Sequence, residues 1–454
     1  MKTITRTLVA LFAVVMAVLF LPACTTDGGD NPALDYTPNL QIDKNIAETI
    51  KIGIKEGLAT GIDAEKAILE DVAALLKKDY PNVKVEIVTI YGDYNLALMN
   101  AHRSGSMPDI IFTESTSASE LFANGIFLNL KRYVEAGLGI EGELNPAEFV
   151  ESAWKWGQIG HDGDQYFIPR SYDRIVTHLN ADVFAQAKVP LPQNNDWTWE
   201  DFLDVCDKLK KSDVFKNDSV NHVVDTYMGW DPIFDAVLSS CGADIIDKNG
   251  NVTVDSAATR AGLEMLMDLK TKKYSDQRTG GFQGGKSAMA FHSYTAQAGR
   301  RYIGEAKYNV VTFPRIGDNP MVGAGAPGFS VYAHTTADKR DLAWQYLKRL
   351  LSKDGQEAMA VRGMGSVPVR KDMQNPAENK WGEGFETINM QAFSYQPELD
   401  KHIDFYLNVD GKFQGQLVRL YRKLITNYIA DGYSLDNAIN ICRTEMEGVL
   451  KDEY

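Results

Sequence analysis

Residues 107–130, MPDIIFTESTSASELFANGIFLNL, constrain the fold more tightly than any other part of the chain. Ile110, Ile111 and Phe112 make the short apolar run expected of a strand buried on both faces. Five hydroxyls and Glu114 then crowd positions 113–119, where the strand should end. Any of these Ser or Thr side chains can cap a helix through Leu121 and Phe122 to Ala123, and Asn124-Gly125 stops it. In an open α/β sheet, ligands sit beyond the carboxyl ends of the strands, so Glu114, Ser115 and Thr116 are a candidate ligand wall. The plainer alternative is a solvated loop between strand and helix.

The residues upstream repeat the pattern. TIKIGI at 49–54 alternates as a strand, and 64–78 places Ile68, Leu69, Val72, Leu75 and Leu76 on one side of a helix. A strand at 83–90, the polar end Tyr91-Gly92-Asp93-Tyr94 and a helix at 95–103 follow. This βαβαβα order predicts a parallel sheet with right-handed crossovers. With 454 residues, the chain suits two or three domains. Its net charge of −14 argues against nucleic acid or anionic lipid surfaces as the main partner.

At the N-terminus, Lys2 and Arg6 precede fourteen apolar residues at 8–21, then Pro22-Ala23-Cys24 and a polar tract. That run is short for a membrane span and fits the core of a secretory signal. The small residue before Cys24 resembles a bacterial lipobox. Residues 1–23 are therefore expected to be a lipoprotein signal peptide, Cys24 the lipidated N-terminus and 24–45 a flexible tether, with the protein lipid-anchored outside the cytoplasm. Of the remaining cysteines, Cys206 falls at apolar spacing in a helix. Cys241 and Cys442 lie in no metal or redox motif. A disulfide between two of the three stays open.

Several segments resemble one family in register. SGSMPDIIF with its polar loop, helix and GIFLNL comes first, and DVAALLKKDYPNVKVEIV precedes it. Residues 182–188 and 197–211 follow, although Lys188 stands where the family has glycine. Phe282, Gly285-Lys286, Ala288 and Met289 come next, then 323–333 and 355–368. The order is similar to that of extracellular solute-binding proteins of ABC importers, the class of the maltose-binding proteins. This resemblance implies a two-lobed α/β fold of the type II periplasmic-binding-protein kind, each lobe a mixed sheet flanked by helices, with a ligand cleft between. It implies a first lobe of 46–168 and 294–328 and a second of 169–293 and 329–454, with 308–314 a strand returning to the first. Crossings are expected at 169–174, 291–293 and 328–331.

The resemblance also implies a monomeric receptor without cofactor or metal. It would take a small solute, a sugar or oligosaccharide first and a polyamine second, and deliver it to the transmembrane subunits of an ABC permease. The family places Tyr91, Asp93, Tyr94, Tyr172, Asp173, Trp230, Asp231, His292, Tyr294 and Arg362 with Glu114, Ser115 and Thr116 as ligand contacts. Flat aromatic faces beside carboxylates suit a sugar's apolar ring face and hydroxyl rim. Trp197, Trp199 and Trp344 are expected in the core.

No nucleophile elbow, HExxH or paired metal ligands occur, so an enzyme is not expected. The exported alternative of that class is a glycosidase, whose carboxylate pair leaves no readable spacing. GGFQGGKS at 280–287 satisfies the phosphate-loop pattern letter for letter. The residues before it are polar and strandless, so nucleotide binding is rejected. HDGD at 161–164 reads as a hairpin turn.

Overall fold

The computed structural model describes residues 36–58, 61–114, 118–159, 164–216, 222–275, 281–293, 295–304, 307–362 and 366–452. Its strands in chain order begin with β1 (Thr49–Lys55), β2 (Lys84–Ile90), β3 (Ile110–Glu114), β4 (Ile168–Pro169), β5 (Ser171–Arg174) and β6 (Val176–Asn180). They continue with β7 (His222–Asp225), β8 (Ser287–His292), β9 (Tyr308–Thr312) and β10 (Val322–Gly325). The last three are β11 (Pro327–Val331), β12 (Val367–Pro368) and β13 (Asp400–Lys401). They form three sheets, one in each lobe of an α/β protein and one between the lobes.

The first sheet runs β2-β1-β3-β11-β4. β1 pairs in parallel with β2 and β3, as the βαβαβα pattern requires, and β11 closes against β3 in antiparallel fashion. Helix Ile62–Asp79 buries Ile68, Leu69, Val72 and Leu76 against this sheet and leaves Lys77 and Lys78 outside. The Pro108-Asp109 pair at the entry to β3 has two structural jobs. Asp109 is buried and accepts from the Lys51 backbone N–H at 2.8 Å and the Thr335 hydroxyl at 2.5 Å, fastening β1 to the segment after β11. Pro108 presses on Gly53, where a Cβ would come within 2.6 Å of the proline ring.

The second sheet runs β7-β8-β6-β9. Helix Trp199–Lys211 opens on a capping box, Thr198 with Asp201, and packs Phe202, Cys206 and Leu209 inward. Trp197 and Trp199 are buried in this core and Trp344 in the first lobe's. Cys206, Cys241 and Cys442 are free thiols.

Two strands depart from the expected layout. Residues 308–312 do not return to the first lobe: β9 pairs with β6 along its whole length, Val176 opposite Thr312 and Asn180 opposite Tyr308. The chain returns instead at β11, which pairs with β3, and helices Ala337–Leu350 and Lys353–Arg362 then pack on helix Ile62–Asp79. Residues from 327 through those helices thus lie with the first lobe, against the expected division at 328/329. The alternation of YNVVTF fits an edge position in either sheet, and period alone does not say which.

Between the lobes lies the third sheet, β12-β5-β10-β13. β5 leads from the first sheet to the second and β10 leads back, so this sheet is the hinge region. The approach is tight: a Cβ on Gly323 would sit 1.7 Å from the Pro232 carbonyl oxygen.

Candidate cleft between the lobes

The alternation of β5 decides what faces the cleft. Side chains on successive residues of a strand point to opposite faces. Ser171 and Asp173 line a cavity of about 190 Å³ between the lobes. Arg174 points to the opposite face and pairs there with Asp400 at 3.0 Å. Phe112 and Glu114 enter the cavity from the end of β3, and His292, Ser293, Thr295 and Arg301 enter from the end of β8 and the helix Ala296–Ile303. Helix Ala118–Ala123 of the first lobe packs against helix Gly411–Ile425 of the second.

Charges on the first-lobe side are paired before any ligand arrives. Glu114 holds Lys55 at 2.7 Å. Arg170 is buried and donates to Glu65 at 2.8 Å, which is fully buried beneath the cavity. Burial pushes the Asp173 carboxyl up to about 6; Arg170 opposes the shift, and the charges of Glu114 and Glu65 add to it.

The second-lobe side carries a cation, Arg301, and beside it neutral rings. His292 lies between Tyr227, ring centroids 4.9 Å apart and edge-on, and Trp230, 4.7 Å apart with planes inclined by 34°. Burial drives His292 down to about 3, with His178 adding to the shift. His178, also pushed down by burial to about 4, has its Nδ1 2.8 Å from the Tyr308 hydroxyl and its Nε2 3.1 Å from the His292 carbonyl. The loop before Trp230 is held by Tyr227 at φ 46°, an uncommon conformation for a residue with a side chain, and the Tyr227 carbonyl accepts from the Trp230 N–H. Trp230 is half-buried, one layer behind the cavity and stacked on His292.

A neighbouring cavity of about 310 Å³ shares Phe112 and Glu114 with the first and extends it toward Asp93, Tyr94, Asn95 and Glu120. Asp93 caps helix Tyr94–Ser104 by accepting from Leu96 N–H. Tyr94 donates to the Phe112 carbonyl at 2.9 Å, and burial raises its phenol. Asn95 donates to Glu120 at 2.9 Å. Tyr91 stands nearby at the end of β2, 67% exposed.

Of the residues expected in the site, Glu114, Asp173 and His292 line the cleft cavity, and Asp93 and Tyr94 line its extension. The Tyr172 backbone pairs with Val367 in the hinge sheet. Ser115, Thr116, Tyr294 and Cys24 lie outside the described residues, as does most of the HDGD turn. Two expectations require correction. Asp231 is buried and committed to a two-pronged ion pair with Arg422, its oxygens accepting from Arg422 Nε at 2.8 and 2.9 Å. Arg362 is remote from the cleft: it ends helix Lys353–Arg362, which packs on helix Ile62–Asp79, so its guanidinium meets Asp71 on the protein's outer face. Lys55, Asn95, Arg170, Ser171, Ser293 and Arg301 were missed. Arg170 and Ser171 adjoin the predicted crossing, but only pairing with β10 shows which side chains face inward.

The phosphate-loop lookalike is structural. Asp225 accepts from the Ser287 hydroxyl at 2.7 Å and the Phe282 N–H at 2.6 Å, and Ser287 opens strand β8 where a phosphate loop would open a helix.

This architecture, with two α/β lobes, a crossing sheet and a cleft lined from both sides, agrees with the match of residues 71–387 to the profile of bacterial extracellular solute-binding proteins. The chain belongs to that family. A curated relative, the arabinooligosaccharide-binding protein of Halalkalibacterium halodurans, is 26% identical over 210 residues, 44% of this chain and 42% of that one. The chain thus spans less than half the length of this curated relative. Among solved structures, the cyclic alpha-maltosyl-1,6-maltose binding protein of Arthrobacter globiformis is similar at a TM-score of 0.72 and 17% identity, covering 90% of this chain and all of that one. The GacH receptor of Streptomyces glaucescens, solved unliganded and with acarbose, is similar at a TM-score of 0.68 and 19% identity, with coverage of 90% and 100%. At these identities the two structures show the fold alone, two α/β lobes about a cleft. As a family member the chain is an extracytoplasmic solute-binding protein, and no helix among the described residues is long and apolar enough to cross a membrane.

Proposed function

We propose that this solute-binding protein captures a sugar or short oligosaccharide by hinge closure and passes it unchanged to the transmembrane subunits of an ABC permease. It acts as a monomer held to the membrane through lipid on Cys24, without cofactor or metal. The observation that carries the reading is the composition of the cleft. Carboxylates, hydroxyls and an amide from the first lobe and crossing strand face His292 of the second, a neutral imidazole backed by the Trp230 ring. Hydroxyls on a sugar find acceptors in Glu114 and Asp173, and its ring face finds an aromatic layer. The oligosaccharide named for the Halalkalibacterium relative and the maltosyl ligand named for the Arthrobacter protein support the same class. A polyamine fits less well, because Lys55 already neutralises Glu114 and the cations Arg170 and Arg301 line the same cavity.

A thermal-shift screen over sugars, polyamines and amino acids, followed by calorimetry, tests this. The expected result is a stabilising sugar with micromolar affinity, about −8 kcal/mol, recovered chemically intact. Stabilisation by polyamines alone, or release of hydrolysed product, overturns it. For the anchor, Cys24→Ser should release the protein from the membrane fraction; a variant that stays bound as tightly as the wild type removes the lipid from the proposal.

A further inference from the structure

The hinge sheet has two faces, and the larger cavity lies on the one turned away from the cleft. It measures about 940 Å³ against about 190 Å³ for the cleft cavity. Val150, Ser152 and Trp156 wall it from the first lobe, and His402, Leu407 and Asn408 from the segment that joins the second lobe's core. Its floor is the edge of the hinge sheet, with Met321, Asp400 and Lys401. Contacts across it include the Ser152 hydroxyl, which donates to the Pro397 carbonyl at 3.2 Å, and Trp156, which meets His402 edge-on at 5.7 Å.

Buried polar groups in this wall are left unsatisfied. His402 is 9% exposed, and its Nε2 has no hydrogen-bond partner among the described residues. The Asp400 side chain is fully buried; one oxygen faces Arg174 at 3.0 Å and the other has no hydrogen-bond partner among the described residues. A buried donor or acceptor left unpaired is costly, and such groups are normally met by protein, water or ligand. The charges around them nearly balance, with Glu151, Glu398, Asp400 and Asp404 against Lys155, Lys371 and Lys401. Lys155 with Glu151 at 2.6 Å and Lys401 with Asp404 at 2.8 Å are already paired. Burial holds His402 down at about 4, so it meets an occupant as a neutral imidazole. The wall therefore selects against strongly charged molecules.

We propose that this cavity behind the hinge is a second binding site, taking a small neutral polyhydroxyl compound that bridges the two lobes. The site is separate from the cleft and coupled to it through the hinge. Helix Ala118–Ala123 already meets helix Gly411–Ile425 on the cleft side while the back gapes. Rotation that opens the cleft must narrow the back, so an occupant there resists opening and favours the closed form. By linkage, a cleft ligand must favour the back occupant equally.

The test uses saturation-transfer NMR on the mature chain with glycerol, myo-inositol and trehalose as probes. Four forms are compared with the wild type. They are a cleft-disabled double variant (Glu114→Ala with Asp173→Ala), Gln158→Trp to plug the back cavity, His402→Leu, and His402→Gln, which keeps a polar nitrogen near the position of Nε2. At least one probe should give a signal that survives in the cleft-disabled protein, falls fivefold or more in Gln158→Trp and His402→Leu, and returns in His402→Gln. If His402→Leu does not fold, Gln158→Trp at the half-buried rim decides alone. A signal lost with the cleft variant, one indifferent to the back variants, or none from any probe overturns the site. In the cleft-disabled protein, saturating probe should also reduce the scattering radius; an unchanged radius overturns the coupling. Failure of the cleft sugar screen leaves these readouts untouched, so the two proposals fall separately.

Discussion

The first-lobe wall of the cleft meets a ligand with charges already paired, whereas the second-lobe wall meets it with a neutral imidazole and a cation. On one side stand the ion pairs Lys55–Glu114 and Arg170–Glu65, and Glu120 accepts a hydrogen bond from Asn95. On the other, His292 and Arg301 face the cavity, and Tyr227, Trp230 and His178 back the His292 ring, the imidazoles held neutral by burial. Pairing fixes the polar groups before binding, so fewer side chains must be ordered when the lobes close. The rings contribute area and little directional demand. The first wall is thus suited to choosing among hydroxyl patterns, and the second to gripping any sugar ring.

The largest effect should come from breaking a pair beneath the first wall. Glu65→Ala leaves the Arg170 guanidinium buried without its carboxylate, and removing one partner of a buried pair costs about 3–5 kcal/mol. Denaturant unfolding of the variant should show that loss, and a change below about 1 kcal/mol would mean that the pair is not what holds Arg170 in place.

Truncating the second wall should move a different quantity. A buried aromatic face supplies roughly 2 kcal/mol, so Trp230→Ala should weaken sugar binding some thirtyfold with little change in the melting temperature of the unliganded protein. If Trp230 were a core residue, the variant would instead lose about 3–5 kcal/mol of stability. Its half-buried position on His292 favours the first outcome, and calorimetry and melting on one variant separate the two.

Asp173 sits between the walls and sharpens the comparison through pH. Its folded carboxyl keeps a proton up to about 6, whereas the unfolded chain releases it near 4. The folded state therefore binds more protons in that window, so this group's contribution to stability falls as pH rises from about 4 to 6 and stays lower above it. Asp173→Asn should flatten the slope and be more stable than wild type at pH 7 by about 1–2 kcal/mol, allowing for partial solvent access. Parallel stability profiles for the two proteins between pH 4 and 7 would show that the carboxyl titrates normally.

The first lobe was readable because its βαβαβα segments carry period, caps and strand-end polarity within a few dozen residues. The strand-end positions of Glu114 and Asp93, which line the two cavities, are legible in that way. Legibility failed where partner choice is long-range. Strand 308–312 alternates correctly, yet only its pairing with Val176–Asn180 assigns it to the second lobe. Asp231 at a helix start beside Trp230 looked like a ligand carboxylate, but Arg422, 191 positions away, takes both of its oxygens. No local signal marks such a partner. The hinge sheet was least visible: β12 and β13 are two residues each, too short to leave a period.

The smallest effect is expected at Arg362, and it tests how far a family resemblance can be carried onto single positions. Motif order placed this arginine with the ligand contacts, beside the segment leading to Ser366, which does line the cleft cavity. A helix end can direct a side chain either way, and here the packing of Lys353–Arg362 on Ile62–Asp79 sends the guanidinium outward to Asp71, with both side chains substantially exposed. Exposed pairs of this kind add little to stability because water and salt screen them. Arg362→Ala should therefore leave both sugar affinity and melting temperature within error of wild type, in contrast to Trp230→Ala at the second wall. A loss of affinity of tenfold or more at Arg362 would mean that the liganded protein turns this helix end toward the cleft, and that the first wall contains a cation beyond Lys55 and Arg170.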